Sequence, residues 1–425
     1  MTQSVPAVAV NRMAFSGLLA MFVGIGVARF SFAPLVPALV RAHWYSADSA
    51  FWFAAVNLAG YFIGVALSRS WRRGYHGKPA LLLAMGFTAA ATSCCALNWG
   101  SAWFGFWRLV SGLTGGVLMV LMASAVVGKA PAAARGRVSG FAFSGMGGGM
   151  TFSALAIPHL LTYGLVFTWA ALGALCTAAT LIVAVIMPPA RIEPPLRHAA
   201  KGLPPLVVVV LIAAYAFSAF GFMPHMLFWS SFVAIGLGRG VAAGAMMAAW
   251  IGLAATLGPP LLGRAADRFG FLPTLVAGFV VMGCAVAIPL FTQAAPALVL
   301  SALCVGAVAL GTVMLVAGAI AGMVPSSRLS ADWGLAAMVY AVTQIAAAAF
   351  LSHLFHATGS YDLLFRVGVV AMAGGVLLIS LAARMARFMQ HVGALVEPGD
   401  GPVGEFQPRH RDEGEGEVRS SDIHK

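Results

Sequence analysis

Two arginines stand inside long apolar stretches of this sequence, where charged side chains are rare. Arg29 lies within the run 13–40, and Arg108 lies within the run 102–127. An arginine inside a membrane costs at least ~2.5–3.5 kcal/mol, so it normally faces an aqueous cavity, a partner or an anion. None of the apolar runs of the first 187 residues contains a deeply placed carboxylate that could neutralise the pair. Both arginines are therefore predicted to bind an anionic or zwitterionic solute.

Three further polar residues within apolar runs are candidates for the same solute site: Asn57, His225 and Gln344. His225 stands beside a proline, and an imidazole there is also a candidate proton carrier. A purely structural role is the alternative for three of these residues. Arg29 would then pair with Asn57 or with backbone groups, Arg108 would bond to carbonyls and hold helices together, and His225 would be a buried histidine without a functional role. Several aromatic residues are candidates either for lining the site or for packing: Tyr215, Phe217, Phe220, Trp229 and Tyr340.

The apolar runs that hold these residues predict a membrane protein. Only 9% of the 425 residues are charged and 60% are hydrophobic, whereas a soluble chain carries roughly 25% charged residues. A helix needs about 20 mostly apolar residues to span a bilayer. The sequence therefore predicts an all-α integral membrane fold with twelve transmembrane helices, at 13–40, 49–68, 79–99, 102–127, 138–160, 163–187, 205–233, 241–263, 271–293, 295–323, 331–355 and 361–385.

The distribution of basic residues predicts the orientation of these helices. With the N-terminus inside, 20 of the 25 lysines and arginines fall in cytoplasmic segments, and only Arg41 and Arg239 fall on the opposite side. Cytoplasmic loops collect basic residues in this way. Both termini are therefore predicted to be cytoplasmic, and the chain is predicted to be a multi-pass protein of the bacterial inner membrane. The net charge of +12 is explained by this orientation and not by nucleic-acid binding.

The chain is predicted to consist of two six-helix halves. Residues 1–187 form the N-terminal half, and residues 205–386 form the C-terminal half. The segment 188–204 between them is polar and rich in proline, as is typical of a linker. Residues 387–425 contain eight of the 13 acidic residues and no apolar periodicity, which favours a disordered cytoplasmic tail.

A glycine and acid pattern marks the turn after the eighth predicted helix. In GRAADRFG, Gly263, Asp267, Arg268 and Gly270 form a GxxxDRxG pattern. A weaker copy with Arg69, but with a serine in place of the acid, follows the second predicted helix 199 positions earlier. A further pattern, RLVSGLTGG, begins at Arg108 in the fourth predicted helix.

These motifs resemble the two signatures of the major facilitator superfamily. The GVARFSFAPLVP context of Arg29 and the GSYDLLF sequence that opens the last predicted helix resemble its YbfB/YjiJ-like branch. The resemblance implies two halves that rock around a central site. It also implies a cytoplasmic gate, in which Asp267 contacts Arg137 and the start of the fifth helix. Since the weaker copy has Ser68 in place of the acid, we expect Asp332 to substitute for it by pairing with Arg69 or Arg72. The fifth and eighth helices are then expected to meet through small residues.

The leading functional hypothesis is a secondary transporter of a small organic solute by alternating access, with the proton as a candidate coupling ion. The alternatives are a drug or metabolite efflux carrier of broad specificity, a membrane enzyme and a transporter-like sensor. An enzyme is not expected, because the acids outside the tail are scattered and form no catalytic set. The five cysteines suggest neither a disulfide nor a metal site, and no pattern predicts ATP binding or a cofactor. The expected partners are the solute, the lipid bilayer and protons; nucleic acid is not expected. The sequence leaves the oligomeric state open, and a monomer is expected.

Overall fold

The structure, a computed structural model, describes residues 7–70, 77–128, 130–188 and 204–396. Every regular element in these four ranges is helical. Three predicted features lie outside them: the greater part of the linker, Arg72, and the tail beyond residue 396. The side chain of Arg69 is also outside the described part of the chain.

The helices follow the order of the predicted apolar runs, and some of them are built from consecutive segments. They are α1 (Ala7–Met21, continued by Phe22–Val27, Ala28–Phe30 and Phe32–Arg41), α2 (Ala47–Ser70), α3 (Lys78–Cys94), α4 (Ser101–Met122, continued by Ala123–Val127), α5 (Arg135–Leu160), α6 (Leu165–Ile186), α7 (Leu206–Gly221, continued by Met223–Ser231 and Phe232–Gly236), α8 (Gly240–Phe269), α9 (Phe271–Phe291), α10 (Ala295–Met323), α11 (Ser326–Thr358) and α12 (Tyr361–Val396).

Ten helices of the described residues are long and apolar enough to cross a membrane. The two that fall short are α2, whose apolar part Trp52–Ser68 is brief, and α3, which has 17 residues. At 1.5 Å per residue, α3 extends ~25 Å, somewhat less than a hydrocarbon core of ~30 Å. Its helix ends at Cys94 rather than at the predicted residue 99. The described residues therefore form a multi-span membrane bundle, in which ten helices reach spanning length and α2 and α3 are shorter.

Three helices contain a π-helical segment: Phe22–Val27 in α1, Ala123–Val127 in α4 and Phe232–Gly236 in α7. Such segments are rare and often occur beside functional positions, because the wider turn reorients the side chains that follow. The segment in α1 ends two residues before Arg29. It therefore helps to set the direction in which this arginine leaves the helix.

Glycines allow two pairs of helices to approach each other closely. A Cβ added at Gly112 of α4 would lie 1.9 Å from the backbone oxygen of Asn57 on α2. Six helices later, a Cβ at Gly306 of α10 would lie 2.2 Å from the backbone oxygen of Ile251 on α8. Small residues at such contacts are typical of membrane helix pairs. The contact α2–α4 thus has its counterpart in α8–α10, as expected for two similar halves.

The predicted meeting of α5 and α8 is also present. A Cβ at Gly140 would lie 2.3 Å from the oxygen of Pro259, and a Cβ at Gly147 would lie 2.5 Å from the oxygen of Ala255. In the same interface the Thr151 hydroxyl lies 3.0 Å from that of Thr256. The first six helices therefore pack against the last six over most of the length of these two helices.

The chain divides into two compact units, 1–385 and 386–425. The described part of the second unit is the end of α12, which is helical as far as Val396. The first residues of the predicted tail therefore continue the last helix.

Candidate functional site

The carboxylate of Asp267 bonds to the start of α5. Its Oδ1 accepts a hydrogen bond from the Gly136 N–H at 2.6 Å, and its Oδ2 accepts one from the Arg137 N–H at 2.9 Å. The Nε of Arg137 lies 3.5 Å from the same Oδ2. A carboxylate is favoured here because the first N–H groups of a helix lack partners within the helix and carry partial positive charge. The contact expected between Asp267 and Arg137 is present, and its role as a gate stays a prediction.

The glycines of the GxxxDRxG pattern give this contact its geometry. A Cβ at Gly263 would lie 2.3 Å from the Gly136 oxygen, so only glycine lets the two backbones come so close. Gly270 follows α8 with φ +89°, a conformation that favours glycine, and it lets the chain turn directly into α9. Arg268 is exposed, and its guanidinium lies 5.3 Å from the centre of the Phe269 ring.

Asp332, at the start of α11, has a local partner. Its carboxylate lies 3.2 Å from the Nε of Arg328, one turn earlier on the same helix. Two residues four positions apart on a helix face each other, and this makes a local partner available. The side chain of Arg69 and the whole of Arg72 lie outside the described part of the chain. The pairing of Asp332 with either of them therefore stays a prediction.

The start of α11 nevertheless packs against the end of α4. The Trp333 indole donates a buried hydrogen bond of 3.0 Å to the Met119 carbonyl. A Cβ at Gly128, just after α4, would lie 3.0 Å from a methyl carbon of Leu329. Together with the α5 contact of Asp267, these contacts join the first and last six helices at the end predicted to be cytoplasmic.

Arg108 is buried in a way that fits the packing alternative. Its Nη1 donates a 3.0 Å hydrogen bond to the Ala28 carbonyl of α1, and its Cζ lies 4.3 Å from the centre of the Phe32 ring. The side-chain amide of Asn57 donates to the Arg108 carbonyl at 2.9 Å. The Nε of Arg108 has no hydrogen-bond partner among the described residues. Arg108 and Asn57 thus tie α4 to α1 and α2, and one donor of the guanidinium stays unused.

Arg29 has a different environment. It is half-buried, its Cζ lies 5.6 Å from the centre of the Tyr61 ring on α2, and it forms no ion pair with a carboxylate in the described part of the chain. It interacts electrostatically with Tyr340 of α11 and with Arg108. Arg29 therefore lies where the first six helices face the last six.

Aromatic rings continue from Tyr340 into the second half of the bundle. Tyr215 of α7 stacks on Tyr340 with ring centres 4.1 Å apart, and Trp333 lies beyond it at 6.4 Å. The Tyr215 hydroxyl is buried without a partner among the described residues. We call Arg29, Tyr61, Tyr215 and Tyr340 the central cluster. Sequence reasoning missed Tyr61, although it lies one turn after Asn57 and so on the same helix face.

His225 belongs to the interior of the last six helices. Its Nε2 lies 2.8 Å from the Ser301 hydroxyl, which in turn donates to the Ala285 carbonyl at 2.7 Å. Since a hydroxyl has one proton, Nε2 must be the donor to Ser301, and Nδ1 is an acceptor with no partner in the described structure. The ring stacks on Trp229 at 4.3 Å. These contacts fit a packed histidine better than a solute ligand.

The remaining candidate, Gln344, is half-buried and makes no side-chain hydrogen bond within the described part of the chain. Arg366, which was not a candidate, forms a local ion pair on α12, with 2.6 Å between its Nε and the Asp362 carboxylate. The five cysteines are free, and the described residues include no group of three potential metal ligands.

An all-helical membrane bundle whose α8–α9 turn docks on α5, and whose polar cluster lies between the first and last six helices, has the architecture of a major facilitator transporter. The sequence matches the model of the family described as "Uncharacterised MFS-type transporter YbfB" over residues 21–384. The chain belongs to this family, which confirms the superfamily and the branch inferred from its motifs. It is thus a transporter-family protein and not an enzyme.

Solved structures of major facilitator transporters share the fold. The human organic anion transporter MFSD10 (TETRAN) is 17% identical, with a TM-score of 0.65 and coverage of 88% of this chain and 100% of the other. The proton:xylose symporter XylE is 14% identical, with a TM-score of 0.68 and coverage of 87% and 95%. A bacterial homologue of the iron transporter ferroportin, in an outward-facing state, is 11% identical, with a TM-score of 0.68 and coverage of 88% and 99%. No curated protein matches the sequence.

Proposed function

We propose that this chain is a secondary transporter of a small anionic or zwitterionic organic solute, which works by alternating access. The observation that carries the proposal is the environment of Arg29. Its guanidinium lies between α2 and α11, half-buried and without a carboxylate partner among the described residues. Such a cation is costly in a membrane unless an anion or water compensates it.

An anionic group on the solute would supply that compensation. A guanidinium offers several N–H donors in a planar arrangement that matches a carboxylate. The Tyr61 ring lies 5.6 Å from the charge, and Tyr340 interacts with it electrostatically; aromatic rings near the guanidinium suit the apolar body of an organic ion. Because α2 and α11 belong to different halves, a solute held here contacts both of them, as a solute-driven rocking motion requires.

Arg108 is proposed to support this site from behind. It adds positive charge near Arg29, and its bond to the Ala28 carbonyl fixes the backbone immediately before Arg29. Its unused Nε also leaves a direct contact with the solute open. The role proposed for Arg108 is therefore mainly the positioning of Arg29.

The proposal includes the predicted topology. The protein is proposed to be a monomer in the bacterial inner membrane. Its twelve spans form two halves, 1–187 and 205–386, and both termini lie in the cytoplasm. With this orientation the contacts of Asp267 and Trp333 hold the first and last six helices together on the cytoplasmic side, and the solute is proposed to reach the central cluster from the outside in this state. Movement of Asp267 away from α5 is proposed to open the inner side.

Proton coupling, if present, is proposed to depend on the solute more than on His225. That histidine donates to Ser301 and is stacked on Trp229 inside the last six helices. Its contacts do not include Arg29 or a tyrosine of the central cluster. A carboxylate solute can carry its own proton when it enters or leaves.

A binding experiment on the purified protein tests the anion site. A stabilisation screen with organic anions, organic cations and sugars identifies a ligand, and its affinity is then measured for Arg29→Gln, Arg29→Lys and Arg108→Gln. Hydrogen bonds to charged groups contribute ~1.5–3 kcal/mol, so Arg29→Gln should weaken binding about 10- to 100-fold, and Arg29→Lys less. Arg108→Gln should lower both affinity and the melting temperature of the unliganded protein, whereas Arg29→Gln should not lower the latter.

The matched control is Arg366→Gln, because Arg366 is exposed and already paired with Asp362; its affinity should equal that of the unmodified chain. Unchanged affinity in both Arg29→Gln and Arg108→Gln would refute the proposal that these arginines form an anion site. Stabilisation by organic cations alone would favour the efflux carrier. Accumulation of the ligand against its gradient in proteoliposomes distinguishes a carrier from a sensor or a channel.

A further inference from the structure

A groove opens at the predicted cytoplasmic end between the first and last six helices. It encloses about 420 Å³ and is formed by the start of α1, the start of α5 and the last turns of α8. Its apolar lining includes Phe15, Phe141 and Pro260, and both phenylalanines are 41% exposed. Two arginines, Arg137 and Arg264, complete it.

The charge of this groove is positive. Arg137 and Arg264 are both exposed, and no carboxylate of the described chain lines it. The nearest acid, Asp267, is only 12% exposed and is already held by two backbone N–H groups. Arg264 has one weak bond of 3.4 Å, to the Pro260 carbonyl of its own helix. Most guanidinium N–H donors of these two arginines are therefore available to a ligand in the groove.

We propose that this groove binds one anionic phospholipid of the inner leaflet. Exposed phenylalanines beside two arginines, at the level where predicted helices leave the membrane, match a lipid with an apolar chain and a phosphate headgroup. Basic pockets between helices on the cytoplasmic side suit such headgroups. This inference is independent of which solute is carried.

The bound lipid also favours one conformation. Arg137 belongs to α5 and Arg264 to α8, and in this structure the two helices that form the groove are packed together at Gly136 and Gly263. Separation of α5 from α8 would move the two arginines apart. A ligand that binds one state of an equilibrium shifts the protein toward that state. Anionic lipid should therefore stabilise the state that is closed at this end, through a site separate from the central cluster.

The test is lipid binding by the full purified chain. Phosphatidylglycerol and phosphatidylcholine are titrated in detergent, and the bound lipid is counted by native mass spectrometry. Each basic residue near a membrane surface contributes a factor of about five in affinity, so Arg137→Gln and Arg264→Gln should each weaken phosphatidylglycerol binding about fivefold. Arg264→Lys, which keeps the charge, should lose less.

The matched control is Arg384→Gln, an exposed arginine on the same predicted membrane side but outside the groove. Its affinity for phosphatidylglycerol should not change. Asn11→Asp provides a second variant that preserves shape: Asn11 lines the groove and is exposed, and a carboxylate there should lower the affinity as well. This variant tests the site even where an arginine variant folds poorly.

Three outcomes would overturn the proposal. The first is equal binding of phosphatidylcholine and phosphatidylglycerol. The second is an equal loss in Arg384→Gln, which would indicate a general surface effect. The third is saturation of the same site by inorganic phosphate at matched concentration, which would identify a free anion and not a lipid as the occupant.

Discussion

Replacing Asp267 by asparagine tests the cytoplasmic gate most directly. Asp267 accepts two backbone hydrogen bonds from the start of α5, at 2.6 Å and 2.9 Å, and lies 3.5 Å from the Arg137 guanidinium. Asparagine has nearly the same shape but only one side-chain oxygen. That oxygen can still accept from Gly136, but the new NH₂ group then faces the Arg137 N–H, and two donors repel each other.

The magnitude follows from the parts of this contact. Losing one hydrogen bond to a charged acceptor costs ~1.5–3 kcal/mol. The ion pair adds little, at most ~1 kcal/mol, since Arg137 is 64% exposed and solvent screens it. A net change of about 2 kcal/mol corresponds to a shift of roughly 30-fold in the equilibrium between closed and open states. Asp267→Asn should therefore populate the inward-open state far more than the parent protein does.

A buried cysteine reports this shift. Leu329 is 3% exposed and touches Gly128 across the closed end, so the variant Leu329→Cys should react with a maleimide only when that end opens. Peptide-resolved mass spectrometry separates its alkylation rate from that of the native cysteines. Asp267→Asn should raise this rate roughly 30-fold, and Asp362→Asn, which breaks an exposed pair on α12, should leave it unchanged. An unaltered rate in Asp267→Asn, with unaltered transport, would refute the gate.

Two further predictions concern packing and topology. Gly112→Ala should lower the melting temperature by the equivalent of ~1–3 kcal/mol, because the new methyl group meets the backbone of α2 at 1.9 Å. The control Gly86→Ala should not lower the melting temperature, because nothing lies within 4 Å of its Cβ. An equal loss in both variants would contradict the packing argument. Reporters fused after Arg137 and after Lys201 should register in the cytoplasm and one after Arg239 outside, whereas an external signal after Lys201 would show that the helix count of the first half is wrong.

Much of the fold could be predicted from sequence because membrane helices satisfy their backbone polar groups internally. The length and apolarity of each run, together with the polar breaks between runs, then nearly define where each helix begins and ends. Even the tight joints at 160–163 and 293–295 are real: Leu161–Tyr163 forms a short 3₁₀ turn, and α9 ends at Phe291 before α10 begins at Ala295. The contact of Asp267 with α5 was expected because the GxxxDRxG pattern resembles a family signature, and not from spacing, since Asp267 and Gly136 are 131 positions apart.

Partners between helices were harder to predict. Arg328 lies one turn before Asp332 on the same helix, so sequence spacing alone makes that pair available, whereas a partner on another helix depends on how α11 is rotated about its axis. The same holds for Arg108: its depth in α4 suggested a solute ligand, whereas its side chain reaches the Ala28 carbonyl and the Phe32 ring of α1. Tyr61 became a candidate only when α2 was placed beside Arg29.

The gate and the central cluster are connected through α11. Leu329 and Trp333 at its start make the contacts that close one end. Tyr340 lies about 16 Å beyond Leu329 along the helix, at 1.5 Å per residue, and it interacts electrostatically with Arg29. Because a helix moves as a stiff body, any opening at Leu329 changes the distance between Tyr340 and Arg29. A solute that bridges those two residues must then favour one position of α11 over the other. The apparent affinity for the solute depends on the fraction of molecules in the state that binds it, so the roughly 30-fold shift expected for Asp267→Asn sets an upper limit on its effect on binding.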